Sequence, residues 1–209
     1  MKKITLLVSS VFILFAVSGA HAQGFEFGLA VGASYPEAPE KVGFDSAVRL
    51  NFKANKLLSI GVESGFGWVN SEKKENDFLD TGDVTFSAVR SVNFYSVPVL
   101  GAVTLNFPFG EYSPMSVFVS GGAGYSWTFY RGQENHTFAG FTWQALVGVA
   151  YTYDDEFSSM KIFGEIGYRG TSLRSDVEIL GKTKQLDLAM SAPFVRIGVA
   201  FPLGDTEYY

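Results

Sequence analysis

The chain has 209 residues, no cysteine, and 21 acidic against 16 basic residues, a formal charge of −5. An acidic chain speaks against a nucleic-acid partner, which needs a basic face, and the lack of cysteine excludes disulfide frameworks and thiolate metal sites. Charged residues make up only 18% and phenylalanine and tyrosine together number 30, yet past the N-terminus no apolar run reaches the ~18 residues of a spanning helix. The apolar surface must therefore be spread along the chain.

The first 22 residues read as a cleaved secretory leader. Lys2 and Lys3 form a basic start, residues 4–17 an apolar stretch, and Ala20-His21-Ala22 a small-residue cleavage site that would leave Gln23 first. Losing two lysines takes the basic residues from 16 to 14 against 21 acids, so the formal charge moves from −5 to −7. Residues 23–203 would form the single domain of the mature chain and 204–209 a short tail.

After the leader the chain alternates. In 44–53 the even positions are Phe44, Ser46, Val48, Leu50 and Phe52, and the odd ones Asp45, Ala47, Arg49, Asn51 and Lys53. Period two marks a strand with one oily face. The next strand repeats it, with Leu58, Ile60, Val62, Phe66 and Trp68 opposite Ser59, Gly61, Glu63, Gly65 and Gly67. A water-exposed sheet face would be rich in Lys, Glu and Thr. Small residues with a few charges suit the crowded inside of a narrow barrel, with the oily face turned to lipid.

Eight such segments follow in order: 24–34, 44–54, 57–69, 91–106, 115–130, 141–153, 160–170 and 187–203. About 9–11 residues cross a bilayer when tilted. The connections 35–43, 70–90, 131–140 and 171–186 are long, whereas 55–56, 107–114 and 154–159 are shorter. Short periplasmic turns and long outer loops are the expected asymmetry of an up-and-down transmembrane barrel, and an even strand number keeps both ends in the periplasm. If the first strand runs outward, Phe25, Phe52, Phe107, Tyr151, Tyr153 and Phe201 fall at the periplasmic rim. Phe44, Trp68, Tyr95, Trp127, Phe129, Trp143 and Tyr168 then fall at the outer rim, with aliphatic Leu29, Val48, Ile60, Val99, Val147, Ile166 and Ile197 between. Two aromatic girdles around an aliphatic band are what a bilayer asks of a barrel.

Two stretches carry a family likeness. Phe94-Tyr-Ser-Val-Pro-Val-Leu-Gly-Ala-Val-Thr-Leu-Asn106 and Val117-Phe-Val-Ser-Gly-Gly-Ala-Gly-Tyr125 resemble consecutive strands of the porin-like, OmpA/OmpX-type outer-membrane β-barrels. Arg196-x-Gly198-x-x-Phe201-x-Leu203 resembles the C-terminal signal read by the barrel-assembly machinery, although 204–209 follow where many such barrels end. The resemblance implies an eight-stranded barrel in the outer membrane of a Gram-negative-type cell. It further implies lipid and lipopolysaccharide as surroundings, the assembly machinery as a transient partner, and charges plugging the lumen.

The alternation points Glu26, Asp45, Arg49, Lys53, Glu63, Lys161, Glu165, Arg169 and Arg196 inward. With 55–57 as the turn, Arg49 sits directly opposite Glu63, and Glu165 and Arg196 share mid-depth on the last two strands. Buried charges must pair, since an unpaired one is expensive; the sharper alternative is a gate. Some barrels of this type modify lipid A with His and Ser, but His136, in the loop 131–140, lacks a partner at a recognisable spacing, so no catalytic residue is assigned. Glu72, Glu75, Asp77, Asp80 and Asp83 make the second loop acidic without matching a calcium loop, and no metal or cofactor is expected. The function that follows is a structural or surface-interaction role through four outer loops, with no extracellular partner named. The alternatives are a narrow channel or small-hydrophobic-ligand conduit and, further behind, a lipid A-modifying enzyme.

Overall fold

The computed structural model describes residues 24–77, 86–110, 113–131, 135–155, 158–179 and 182–203. The predicted leader, the tail 204–209, and Asp80 and Asp83 of the acidic loop lie outside the described residues. So do the side chains of Glu72, Glu75 and Asp77.

All regular elements among the described residues are strands: β1 (Phe25–Ser34), β2 (Gly43–Lys53), β3 (Leu58–Asp77), β4 (Phe86–Pro108), β5 (Met115–Arg131), β6 (Asn135–Asp155), β7 (Ser158–Ile179), β8 (Lys182–Leu188) and β9 (Ala192–Leu203). Strands β1 to β8 pair antiparallel in succession, β9 pairs antiparallel with β7, and β1 pairs antiparallel with β9. β8 and β9 both lie along β7, one after the other. They are two stretches of one strand, so the sheet is a closed eight-stranded up-and-down barrel. Between β8 and β9 the chain turns its carbonyls to the β1–β2 connection. Tyr35, Glu37 and Ala38 donate their amides to Pro193, Ser191 and Ala189 at 3.0, 2.8 and 3.0 Å.

One end of the barrel carries tight turns, the other long hairpins. At 54–57 Asn55 Oδ1 accepts from the amides of Leu57 and Leu58, both at 2.8 Å, the self-capping that makes asparagine a turn residue. Arg49 pairs directly with Glu63, as the turn length predicts. At the hairpin end the expected long loops are largely strand. β3 and β4 stay paired out to Asp77 and Phe86, and β7 and β8 out to Ile179 and Lys182. Their sequences mix polar residues on both faces there, so the oily alternation fades while backbone pairing continues.

Pro98 sits in mid-strand and has no amide to donate. The β3–β4 ladder accordingly skips the two positions between Ser64↔Val99 and Gly67↔Ser96. The Ser64 hydroxyl donates to the Pro98 carbonyl there at 3.0 Å.

Inside, the barrel is filled by more than small residues. Phe118, Phe163 and Phe194 point inward with Leu146, Ala30, Ala47, Ala150 and Ala200. Each phenylalanine has a glycine as its cross-strand partner: Phe118↔Gly148, Phe163↔Gly198 and Gly167↔Phe194. A Cβ on any of these glycines would run into the facing ring. The glycine content therefore serves ring packing as well as crowding. A second apolar cluster, Val69, Val92, Phe94, Phe138, Leu173 and Met190, fills the lumen toward the hairpin end.

Alanine at Gly148, Gly167 or Gly198 should destabilise the folded barrel by about 1–3 kcal/mol through overpacking. Alanine at outward Gly121, with nothing within 4 Å of its would-be Cβ, should change stability by less than about 0.5 kcal/mol. Urea unfolding in detergent micelles, followed by tryptophan fluorescence, measures both.

Candidate functional site: a charged layer in the lumen

Between the two apolar layers the lumen holds charge. β2 contributes Asp45 and Arg49, β3 Glu63, β7 Glu165 and Arg169, and β9 Arg196, all on inward register positions. Arg49 donates from Nε to Glu63 Oε2 at 2.6 Å, and from Nη1 and Nη2 to the two oxygens of Glu165, each at 2.6 Å. The second arrangement is the bidentate fork that gives arginine–carboxylate pairs their strength and fixed orientation.

Arg196 is the hub. Its Nε donates to Glu165 Oε1 at 2.7 Å and its Nη1 reaches Glu63 Oε1 at 3.1 Å and Asp45 Oδ1 at 3.3 Å. Arg169 Nη1 closes the ring on Asp45 Oδ2 at 2.8 Å. Three arginines thus share three carboxylates in a balanced layer. Only 1% of Arg196 reaches solvent. Rings finish its surroundings, with Phe194 4.2 Å from Arg196 Cζ and 5.4 Å from Arg169 Cζ, and Phe163 5.5 Å from Arg49 Cζ.

A smaller group stands toward the turn end. Glu26 accepts from Lys161 at 2.6 Å and lies 3.2 Å from Lys53. Every inward charge expected from the alternation therefore lies in one of two paired clusters. The sequence reading missed the aromatic floor and Gln144, whose buried side chain stands beside Arg169 across the β6–β7 ladder. The signal for the floor was present: an inward phenylalanine with a glycine across the strand.

The outward positions form the second surface. Phe25, Phe107, Tyr151, Tyr153 and Phe201 are exposed near the turn end, and Phe44, Trp68, Trp127, Trp143 and Tyr168 toward the hairpin end, with aliphatic side chains between them. Phe52 departs from expectation. It lies on the outward register but is 6% exposed, packed against Phe25 at 5.4 Å between ring centroids. His136 belongs to β6, not to a loop, and its ring lies 6.0 Å from Tyr130 and 6.4 Å from Phe138. Among the described residues no three His, Asp or Glu side chains gather where they could hold a metal.

No family model and no curated protein matches the sequence. Among solved structures, Neisserial surface protein A (NspA) superposes with a TM-score of 0.54 at 11% identity, over 87% of this chain and 97% of that one. The fold is that of the eight-stranded outer-membrane β-barrels. Two others superpose less well. A major outer membrane protein of Thermus thermophilus gives a TM-score of 0.43 at 16% identity, over 86% and 99% of the two chains. The N-terminal barrel domain of Pseudomonas aeruginosa OprF gives 0.42 at 12%, over 87% and 99%.

Replacing Arg196 by Gln should leave three buried carboxylates sharing two arginines and cost about 3–5 kcal/mol, the penalty of breaking a buried ionic cluster. Lys53→Gln, at a partly exposed pair, should cost less than about 1 kcal/mol. Urea midpoints of the two variants in the same micelle compare them directly.

Proposed function

We propose that this chain is an integral outer-membrane barrel, held in lipid by its outward face, whose long hairpins form a surface for interaction outside the cell. One observation carries the reading. Around the whole circumference, the outward positions expose a continuous aliphatic belt with aromatic residues on both sides: Val48, Ile60, Val99, Val119, Val147, Ile166 and Ile197 lie within it. A contiguous apolar belt of this extent is far beyond what a water-soluble surface carries, and a closed sheet satisfies its backbone without water.

A polar ladder marks where the belt ends. On the outward face of the β3–β4 hairpin, Trp68 Nε1 donates to Asn93 Oδ1 at 3.1 Å. Asn70 donates to Asn93 at 2.9 Å and to Ser91 at 2.7 Å. Strand β3 continues to Asp77, so the hairpin projects roughly 20 Å past this ladder at ~3.3 Å per residue. The predicted leader agrees with export, and lipopolysaccharide would meet the rim formed by Trp68, Trp127 and Trp143.

The stacked apolar, ionic and aromatic layers of the lumen favour an anchor over the channel and conduit readings. The pattern resembling the assembly signal divides in two. Arg196 sits in the ionic layer and Gly198 under the Phe163 ring, whereas Phe201 and Leu203 are exposed outward, where an assembly factor would read them.

All three tryptophans lie on the outward face toward the hairpin end. In proteoliposomes with brominated acyl chains, bromines near the headgroups should therefore quench them more strongly than bromines at the bilayer centre. Spin labels at Val48 and Ile60 should report lipid, and labels at Arg49 and Glu63 should not; the reverse would end the membrane reading. Removing 72–90 should leave a folded barrel that no longer binds cells bound by the full chain. Undiminished binding would count against the hairpins.

A further inference from the structure

The two charged groups of the lumen do not balance alike. In the ring, Arg49, Arg169 and Arg196 meet Asp45, Glu63 and Glu165, three against three. At the turn end Lys53 and Lys161 share Glu26. Among the described side chains, the extra positive charge of the interior therefore stands at the turn-end mouth.

The contacts of that cluster are lopsided as well. Lys161 Nζ lies 2.6 Å and Lys53 Nζ 3.2 Å from the same atom, Oε2 of Glu26. One carboxylate oxygen thus holds together two ammonium groups that otherwise repel. Each ammonium carries three N–H donors, and Glu26 is the only side chain among the described residues that either one engages. The cluster is also partly withdrawn from water, with Glu26 8% exposed. A charge so placed gains from a counterion that replaces its lost hydration.

Space lies beside it. A cavity of about 30 Å³ is lined by Glu26, Lys161, Asn51, Thr104, Asn106 and Phe163. The Thr104 hydroxyl is spent on Ser120 at 2.9 Å, and Asn106 gives one N–H to Ser59 at 3.5 Å. Asn106 keeps its second N–H, and Asn51 adds another amide to the wall. Room for roughly two waters admits two oxygens of an anion whose remaining atoms stand at the partly exposed ammonium groups. Lysine acts as a point charge and not as a planar fork, so a pair of lysines suits a tetrahedral oxyanion.

We propose that the turn-end mouth of the lumen binds a phosphate group between Lys53 and Lys161, with two of its oxygens in the cavity beside Asn51 and Asn106. Glu26 stays in place, so the cluster takes a single anion. Free phosphate and a phospholipid headgroup present the same oxyanion, and the test separates them. The site depends on the mouth alone and stands whether or not the hairpins bind anything.

Lysine side-chain NMR of the full barrel in dodecyl maltoside micelles, which carry no phosphate, tests it. Inorganic phosphate, chloride and dihexanoyl phosphatidylglycerol are titrated separately at constant ionic strength. The expected result is a saturable shift of the Lys53 and Lys161 resonances with phosphate and none with chloride. Saturation by the phospholipid alone would support the site with a headgroup as its occupant. Lys53→Gln, whose small stability cost leaves the barrel folded, should weaken phosphate binding roughly tenfold or more, and Lys53→Arg, which keeps the charge, should restore most of it. Equal shifts with chloride, or none with either phosphate source, would overturn the proposal. The chain has one rival of its own: Asp154 stands across from Ser159, two positions beyond Thr152, the cross-strand partner of Lys161. Phosphate binding that appears only in Asp154→Asn would make that carboxylate the counterion and overturn the proposal too.

Discussion

Ionised side chains cannot be left alone in a lumen this narrow, and the rest of the interior is arranged around that constraint. Moving a charge out of water costs several kcal/mol unless partners replace its hydration. Arg49, Arg196 and Arg169 meet Glu63, Glu165 and Asp45 with every carboxylate oxygen that the contacts involve held at 2.6 to 3.3 Å. These partners lie as far as 151 positions apart in the chain. Arg49–Glu63 and Glu165–Arg196 are neighbours across one ladder, but the remaining pairs form only when β1 has met β9 and the sheet has closed, so the ionic layer is a test of correct register as much as a source of stability. A slip of one residue on any contributing strand would turn its charges to the outer face.

Flat rings lie against that layer. Phe194 and Phe163 face the guanidinium groups, and Phe118 meets Phe163 edge to face, centroids 6.0 Å apart. Such rings fit across a narrow barrel only where the opposite strand has no Cβ, which is why Gly148, Gly167 and Gly198 stand across from them. Gly198 also lies in the segment that resembles an assembly signal. Its Cβ-free contact with Phe163 gives that glycine a role in the folded barrel, independent of recognition during insertion.

The facing of nearly every strand could be read from the chain because period two is a local property, and the turn at 54–57 carried that reading across to the pairing of Arg49 with Glu63. Cross-barrel partners could not be read. Whether Arg196 meets Asp45, Glu63 or Glu165 depends on strand tilt and stagger summed around the closed sheet. The inward phenylalanines were missed for a different reason: in a barrel with an oily exterior, alternation assigns large apolar residues outward. The hairpins were read as loops because in those stretches neither sheet face is consistently oily. Phe52 shows the remaining gap, since register places a side chain on a face but not beneath its neighbour.

The layers also bear on what the barrel does. An open pore needs a continuous wet path, and here such a path would have to pass the Phe94–Met190 cluster, the ionic ring and the Phe118–Phe163 pair in turn. Rearranging one layer would not suffice, because the apolar layers on both sides would still exclude water from it. A lumen so built accords with the anchoring role proposed above, in which rigidity would hold the projecting hairpins in a fixed relation to the membrane surface.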